Sequence, residues 1–326
     1  MRRKGFGVIG AGRFNFGCSS LSASVVGKRI SNIPTMPIHV RMPHCKKRHD
    51  KKINFIIGII ILLLGCQNDN SSIEINSSGL TLLERIKSPE GYDWIIEENG
   101  SFGEFLQNIK LKKNGSQILD FRQNPISNQS EHVAIIDYDI GGKDLLQCAD
   151  AVIRLRAEYL YQQKRFDDIS FHFTNGDAFS WNDYKIGIRP KLISSNQIAF
   201  MKDAKEDDSY KSFRNYLDVI FMYAGTISLN NETVGITNNK QIKTGNILVT
   251  PGSPGHALII VGRAINKKGD VVYLLAQGYT PAQSIHILTN PFNGKINPWN
   301  NLDIANNPTV TARYTFIKTN LRCFRN

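Results

Sequence analysis

The chain has 326 residues, a formal net charge of +12, five cysteines and seven histidines. Residues 1–52 hold twelve Lys or Arg and one Asp, so residues 53–326 carry only about +1, and basicity gives the main body no reason to bind nucleic acid. Cys148 and Cys323 are the only cysteines after Cys66, too few for a disulfide-stapled mini-fold, and a chain of this length buries a substantial core without staples. His132, His172, His256 and His286 show no HxxxH or CxxC partner spacing, so neither a metal nor a cofactor is expected.

Taken in order, residues 1–41 contain seven Arg or Lys and no acid. They lack sustained periodicity and read as an extension from a start codon set too early, since a complete signal begins at Met36 or Met42. The glycines of Gly5 to Gly12 are spaced rather like a dinucleotide-binding turn, but the strand and helix that such a turn joins are missing. Next comes a basic stretch, Lys46 to Lys52, and then the uncharged run Ile53 to Leu64. That order is the layout of a secretory signal, and the run is shorter than the roughly 20 apolar residues that span a bilayer. Leu63-Leu64-Gly65-Cys66 resembles the bacterial lipobox. The resemblance implies a signal peptide over residues 42–65, lipid on Cys66, and a cell-envelope protein held to the membrane through it, on the periplasmic or outer-membrane face. Residues 66–78 are polar and suit a tether.

Residues 79–326 are expected to form one α+β domain. Ser101-Phe102-Gly103-Glu104 has the form of a capping box, predicting a short helix to about Lys110. Val133 to Tyr138 predicts a buried strand, and Leu145 to Gln163 a long helix with Leu145, Cys148, Val152, Leu155 and Tyr159 at helical spacing. Arg154, Arg156 and Glu158 read as a solvated face of that helix, with Arg154 able to meet Glu158 one turn on. Ile169 to Phe173 predicts a strand, Tyr210 to Tyr223 a helix. Four strands follow, over residues 247–249, 257–261, 271–276 and 310–316, separated by Pro/Gly turns without the regular alternation of a parallel sheet. The prediction is a mostly antiparallel sheet covered by the helix that carries Cys148.

Two segments carry chemistry. Cys148 lies in the first turn of the long helix, where unpaired N–H groups and the positive end of the dipole favour a thiolate. His256 opens a strand, placed to act as base and then acid towards that sulfur. Gly245-Asn246-Ile247-Leu248 and His256-Ala257-Leu258-Ile259-Ile260-Val261-Gly262 resemble the strands of the papain-like cysteine hydrolases, in particular the NlpC-type cell-wall peptidases, with Asn246 where Asp is usual. The resemblance implies a papain-like fold with Cys148 as nucleophile, His256 as base and Gln277 on the next strand as orienter. The chain departs from it in the residues flanking the cysteine and in the long interval between Cys148 and His256. Trp181, Arg189 and Tyr279 are candidates for a substrate groove.

A second likeness is broader. Asp144 to Tyr161, Pro251 to Gly262 and Leu274 to Gln283, with Asn290-Pro291 and Pro298-Trp299, resemble the family called domain of unknown function 4846, found in Bacteroides-type bacteria. That family implies no activity. Three functions therefore stay open: a lipid-anchored cysteine hydrolase acting on amides of cell-wall peptides, a catalytically silent relative that binds peptide or glycan in the same cleft, and a structural envelope lipoprotein in which Cys148 is core.

Overall fold

A computed structural model describes residues 74–194, 197–305, 308–316 and 320–325. The chain divides into two units, residues 1–64 and 65–326, and every described residue belongs to the second. The expected extension, the signal peptide, Cys66 and most of the tether lie outside the described residues.

Local chemistry fixes the short elements. Thr81 caps α1 (Leu82–Arg85), its hydroxyl accepting from Glu84 N–H while the Glu84 carboxylate accepts from Leu80 and Thr81 N–H. Strand β1 (Tyr92–Trp94) follows, and then α2 (Phe102–Gln107), capped by the Ser101 hydroxyl as its sequence predicts but one turn shorter. After β2 (His132–Ile135) comes α3 (Cys148–Gln162). A lobe of two hairpins and three helices is next: β3 (Ser170–His172) with β4 (Ala178–Ser180), α4 (Trp181–Lys185), β5 (Ile188–Ser194) with β6 (Gln197–Lys202), α5 (Tyr210–Tyr223) and α6 (Thr226–Glu232). The C-terminal part is strand-rich: β7 (Val234–Gly235), β8 (Ile247–Thr250), β9 (His256–Asn266), β10 (Val271–Gln277), β11 (His286–Leu288), β12 (Thr309–Val310), β13 (Thr315–Phe316) and β14 (Leu321–Cys323).

The main sheet runs β2-β11-β10-β9-β8-β14-β7, with β1 joining the far end of β9, and every pairing in it is antiparallel. The domain is α+β, as its pattern predicts. Both faces of the sheet are covered, which is why β8 to β10 read as near-continuous apolar runs. One face carries Ile247, Val249, Ala257, Ile259, Leu274 and Ala276 and meets α3; the other carries Leu248, Leu258, Ile260 and Leu275 under Phe316 and Leu302.

The register of β9 against β10 shifts by one residue at the Leu274/Leu275 step. Leu274 pairs with Gly262 but Leu275 with Ile260, so β9 holds one extra residue there. Side chains alternate along a strand, and a one-residue slip exchanges faces. The bulge therefore puts His256 on the same face as Gln277; an unbroken register would set them on opposite faces.

Helix α3 is buried on every side from Ala149 to Leu160, so the solvated face expected for Arg154, Arg156 and Glu158 is corrected. The lobe after α3 covers that side. Arg154 pairs with Glu158 at 2.6 Å, one turn on, and the Tyr210 hydroxyl donates to Glu158 at 2.9 Å, which satisfies a charge that would be costly alone.

Candidate functional site

Cys148 is the first residue of α3. The turn before it is tied down by side chains: Asp144 accepts from Ala282 N–H at 2.7 Å and from the Gln147 amide at 3.1 Å, while Thr280 donates to the Gln147 amide oxygen at 3.0 Å. Asp150 accepts from Gln147 N–H at 3.0 Å. The helix start rests directly on the strand end, because a Cβ built on Gly278 would lie 2.6 Å from the Gln147 carbonyl oxygen and 3.0 Å from the Ala151 Cβ. Only glycine permits that approach.

Cys148 is half-buried and its thiol is free of any disulfide. Burial pushes its pKa up; the N–H groups of Ala257, Ala149 and Cys148 itself pull it down, and the Asp150 carboxyl adds to the rise. Cys148 and His256 line one cavity of about 530 Å³, together with Asp150, Thr226, Tyr279 and Tyr314.

His256 is 3% exposed, with its ring 4.6 Å from that of Tyr314 and 5.3 Å from that of Tyr279. Its protonation pattern follows from the hydrogen bonds behind it. The Ser284 carbonyl lies 2.9 Å from Nδ1 of His286, and a carbonyl only accepts, so that nitrogen carries the proton. Nε2 of His286 is then an acceptor, and the Gln277 amide nitrogen donates to it at 3.4 Å. The amide oxygen of Gln277 is left to face His256 Nε2 at 2.8 Å, so that nitrogen must donate. Nδ1 of His256 consequently keeps its lone pair and has no hydrogen-bond partner among the described residues. Gln277 and His286 are direct cross-strand partners, which holds the chain in register.

Burial lowers the pKa of His256 to about 4, with Arg313 adding to the fall and Gln277 opposing it. Burial likewise takes His286 down to about 3. Asp150 goes the other way, to about 8, because burial outweighs the N–H groups of Gln147 and Asp150. At neutral pH Cys148 is therefore a neutral thiol and His256 a neutral imidazole, and Asp150 is mostly a neutral acid that places little negative charge next to the sulfur.

Tyr279 lines the cavity, as a groove residue should. The two other groove candidates do not. Trp181 is 1% exposed within a cluster of Tyr184, Phe213 and Tyr216, and Arg189 lies 3.5 Å over the Tyr184 ring with its guanidinium on the Tyr184 and Ile188 carbonyls. Both are lobe-packing residues, because the hairpin after α4 turns this segment inward. Sequence reading missed His286, Asp150 and Tyr314; the alternation of β11 could have signalled only the first. Among the described residues no group of three or more His, Cys, Asp or Glu is placed to hold a metal ion, and no helix is long and apolar enough to cross a membrane.

Fold and cavity define an α+β domain with a cysteine, a histidine and a glutamine gathered at one end of an antiparallel sheet. The chain belongs to the family described as domain of unknown function (4846), whose model matches residues 82–323. No curated protein and no solved structure matches it.

Proposed function

We propose that this protein is a lipid-anchored cysteine hydrolase that cleaves an amide of an envelope peptide. The observation that carries the reading is the chain Ser284, His286, Gln277, His256, which leaves Nδ1 unshared on a histidine that lines the cavity holding Cys148. In the reaction His256 Nδ1 takes the thiol proton as sulfur forms a bond to the amide carbon. The N–H groups of Cys148 and Ala149, in the first helical turn and without helical acceptors, would receive the developing oxyanion. The proton then passes from His256 to the amine as the C–N bond breaks, and water, deprotonated by the same nitrogen, hydrolyses the thioester to acid and free thiol. Anchoring through Cys66 and export to the envelope rest on the lipobox sequence and would set the site beside cell-wall peptides.

Digestion of purified sacculi, read as new amino and carboxyl ends, tests the activity. The wild-type protein should release them and Cys148→Ala should not, with an unchanged melting temperature. Equal release by both would end the proposal. The weak basicity of a histidine at about 4 favours one other reading, a silent relative that holds a peptide in the same cavity. That reading predicts saturable binding of sacculus fragments without new ends. For the anchor, Cys66→Ala should leave the membrane fraction after a carbonate wash; full retention would contradict it.

A further inference from the structure

We propose that a second cavity, at the C-terminal half of α3, binds a small molecule through a carboxylate or phosphate group. It has a volume of about 210 Å³ and is bounded by Arg156, Arg165, Asp168, His172, Glu232 and Arg325 among others. None of its residues belongs to the cysteine cavity.

Arg156 carries the argument. It is 8% exposed, yet its guanidinium has no hydrogen bond or ion pair with the described residues. Three rings surround it instead, those of Phe102, Tyr159 and Phe324, with centroids at 5.2, 5.4 and 5.3 Å. Cation–π contact offsets part of the cost of burying a charge, but it leaves the five N–H donors of a guanidinium without acceptors. Burial lowers its pKa above all and Arg165 adds to the fall, while Tyr159 and Asp168 oppose it. A buried cation without a hydrogen-bonded counter-ion calls for an anion, and the planar fork of an arginine matches the paired oxygens of a carboxylate or phosphate.

Each carboxylate of the cavity already accepts through one oxygen, and Glu232 Oε1 is buried without a partner. Asp168 accepts from Arg165 at 2.6 Å, and Glu232 accepts from His172 N–H at 3.0 Å while facing its ring nitrogen at 3.2 Å, its other oxygen being sealed from solvent. Three guanidiniums stand against two carboxylates around the cavity, an excess of cationic side chains that favours an incoming anion. Arg325, which also bounds the cavity, is exposed.

Calorimetric titration of the full-length protein with inorganic phosphate, and separately with acetate, at an ionic strength fixed with chloride, tests the site. Saturable one-to-one binding with a Kd on the order of 1 mM is expected for at least one of the two anions, and which one binds identifies the group. Arg156→Gln should abolish it. Because a buried arginine can matter to folding, the exposed Arg325→Gln provides the second test, with affinity expected to fall by about tenfold, whereas Arg122→Gln elsewhere on the surface should change nothing. Absence of saturable binding of either anion, or wild-type affinity in Arg325→Gln and in any folded Arg156→Gln, would overturn the assignment.

Discussion

At the scale of single residues, the chemistry rests on one tautomer. The Ser284 carbonyl decides which nitrogen of His286 is protonated, and that choice passes through Gln277 to His256. His286 is thus a positioning residue that acts through another. His286→Phe removes the acceptor for the Gln277 amide, so Gln277 is free to turn its nitrogen towards His256. Hydrolysis should fall by about tenfold or more, with the loss in kcat rather than KM. A fall confined to KM would instead assign His286 to binding. Gln277→Glu makes a complementary change: a carboxylate beside His256 favours the imidazolium and raises its pKa, which in turn stabilises a Cys148 thiolate. Iodoacetamide labelling of Cys148 at pH 7 should therefore be faster in Gln277→Glu than in wild type. Unchanged labelling would show that thiol and imidazole do not communicate.

At the scale of elements, the site depends on how closely α3 approaches the end of β10. Gly278→Val would force the first turn off the strand, since backbone and not a flexible side-chain tip stands 2.6 Å from the new Cβ. Expected are a cost of about 1–3 kcal/mol in denaturant unfolding and slowed labelling of Cys148. Labelling at the wild-type rate would show that the contact does not position the thiol. These elements differ in how far the sequence displays them. The span of α5 follows from its periodicity alone, and Ser101 announces α2 through its cap. The bulge in β9 has no such signal, for Val261 and Gly262 continue an apolar run that is buried on both faces. Cys148, His256 and Gln277 were legible as residues because each opens or closes a patterned element. That His256 and Gln277 share a face was not, because a slip of one residue inside an apolar strand decides it. The hairpin of β5 and β6 went unread for a similar reason: much of it is exposed, so no strong alternation marks it.

At the scale of the whole molecule, three buried groups at the site tie stability to pH. His256 and His286 have folded pKa values of about 4 and about 3, below the ordinary 6.5, so the unfolded chain binds protons that the folded one refuses. Their contribution is complete above pH 6.5 and is lost as pH falls towards 4. Asp150 opposes them: its folded pKa of about 8 lies above the ordinary 3.8, so it favours the fold at low pH and loses that contribution as pH rises towards 8. Between pH 4 and 6.5 these three groups leave a net uptake of one proton on unfolding, a slope of about 1.4 kcal/mol per pH unit. Urea unfolding across that window should show Asp150→Asn roughly doubling their slope and His286→Phe reducing it to near zero. Parallel slopes in all three proteins would mean that these groups are not buried as described.

The claim that Cys148 is a nucleophile served by His256 is tested most directly by the pre-steady-state reaction with p-nitrophenyl acetate. Acyl transfer to sulfur releases nitrophenolate in a burst, and mass spectrometry locates the acetyl group. A burst of about one equivalent on Cys148 is expected in the wild-type protein, with no burst in Cys148→Ala and a strongly slowed one in His256→Ala. A burst of equal rate in His256→Ala, or an acetyl group on Cys323 with Cys148 unmodified, would contradict it.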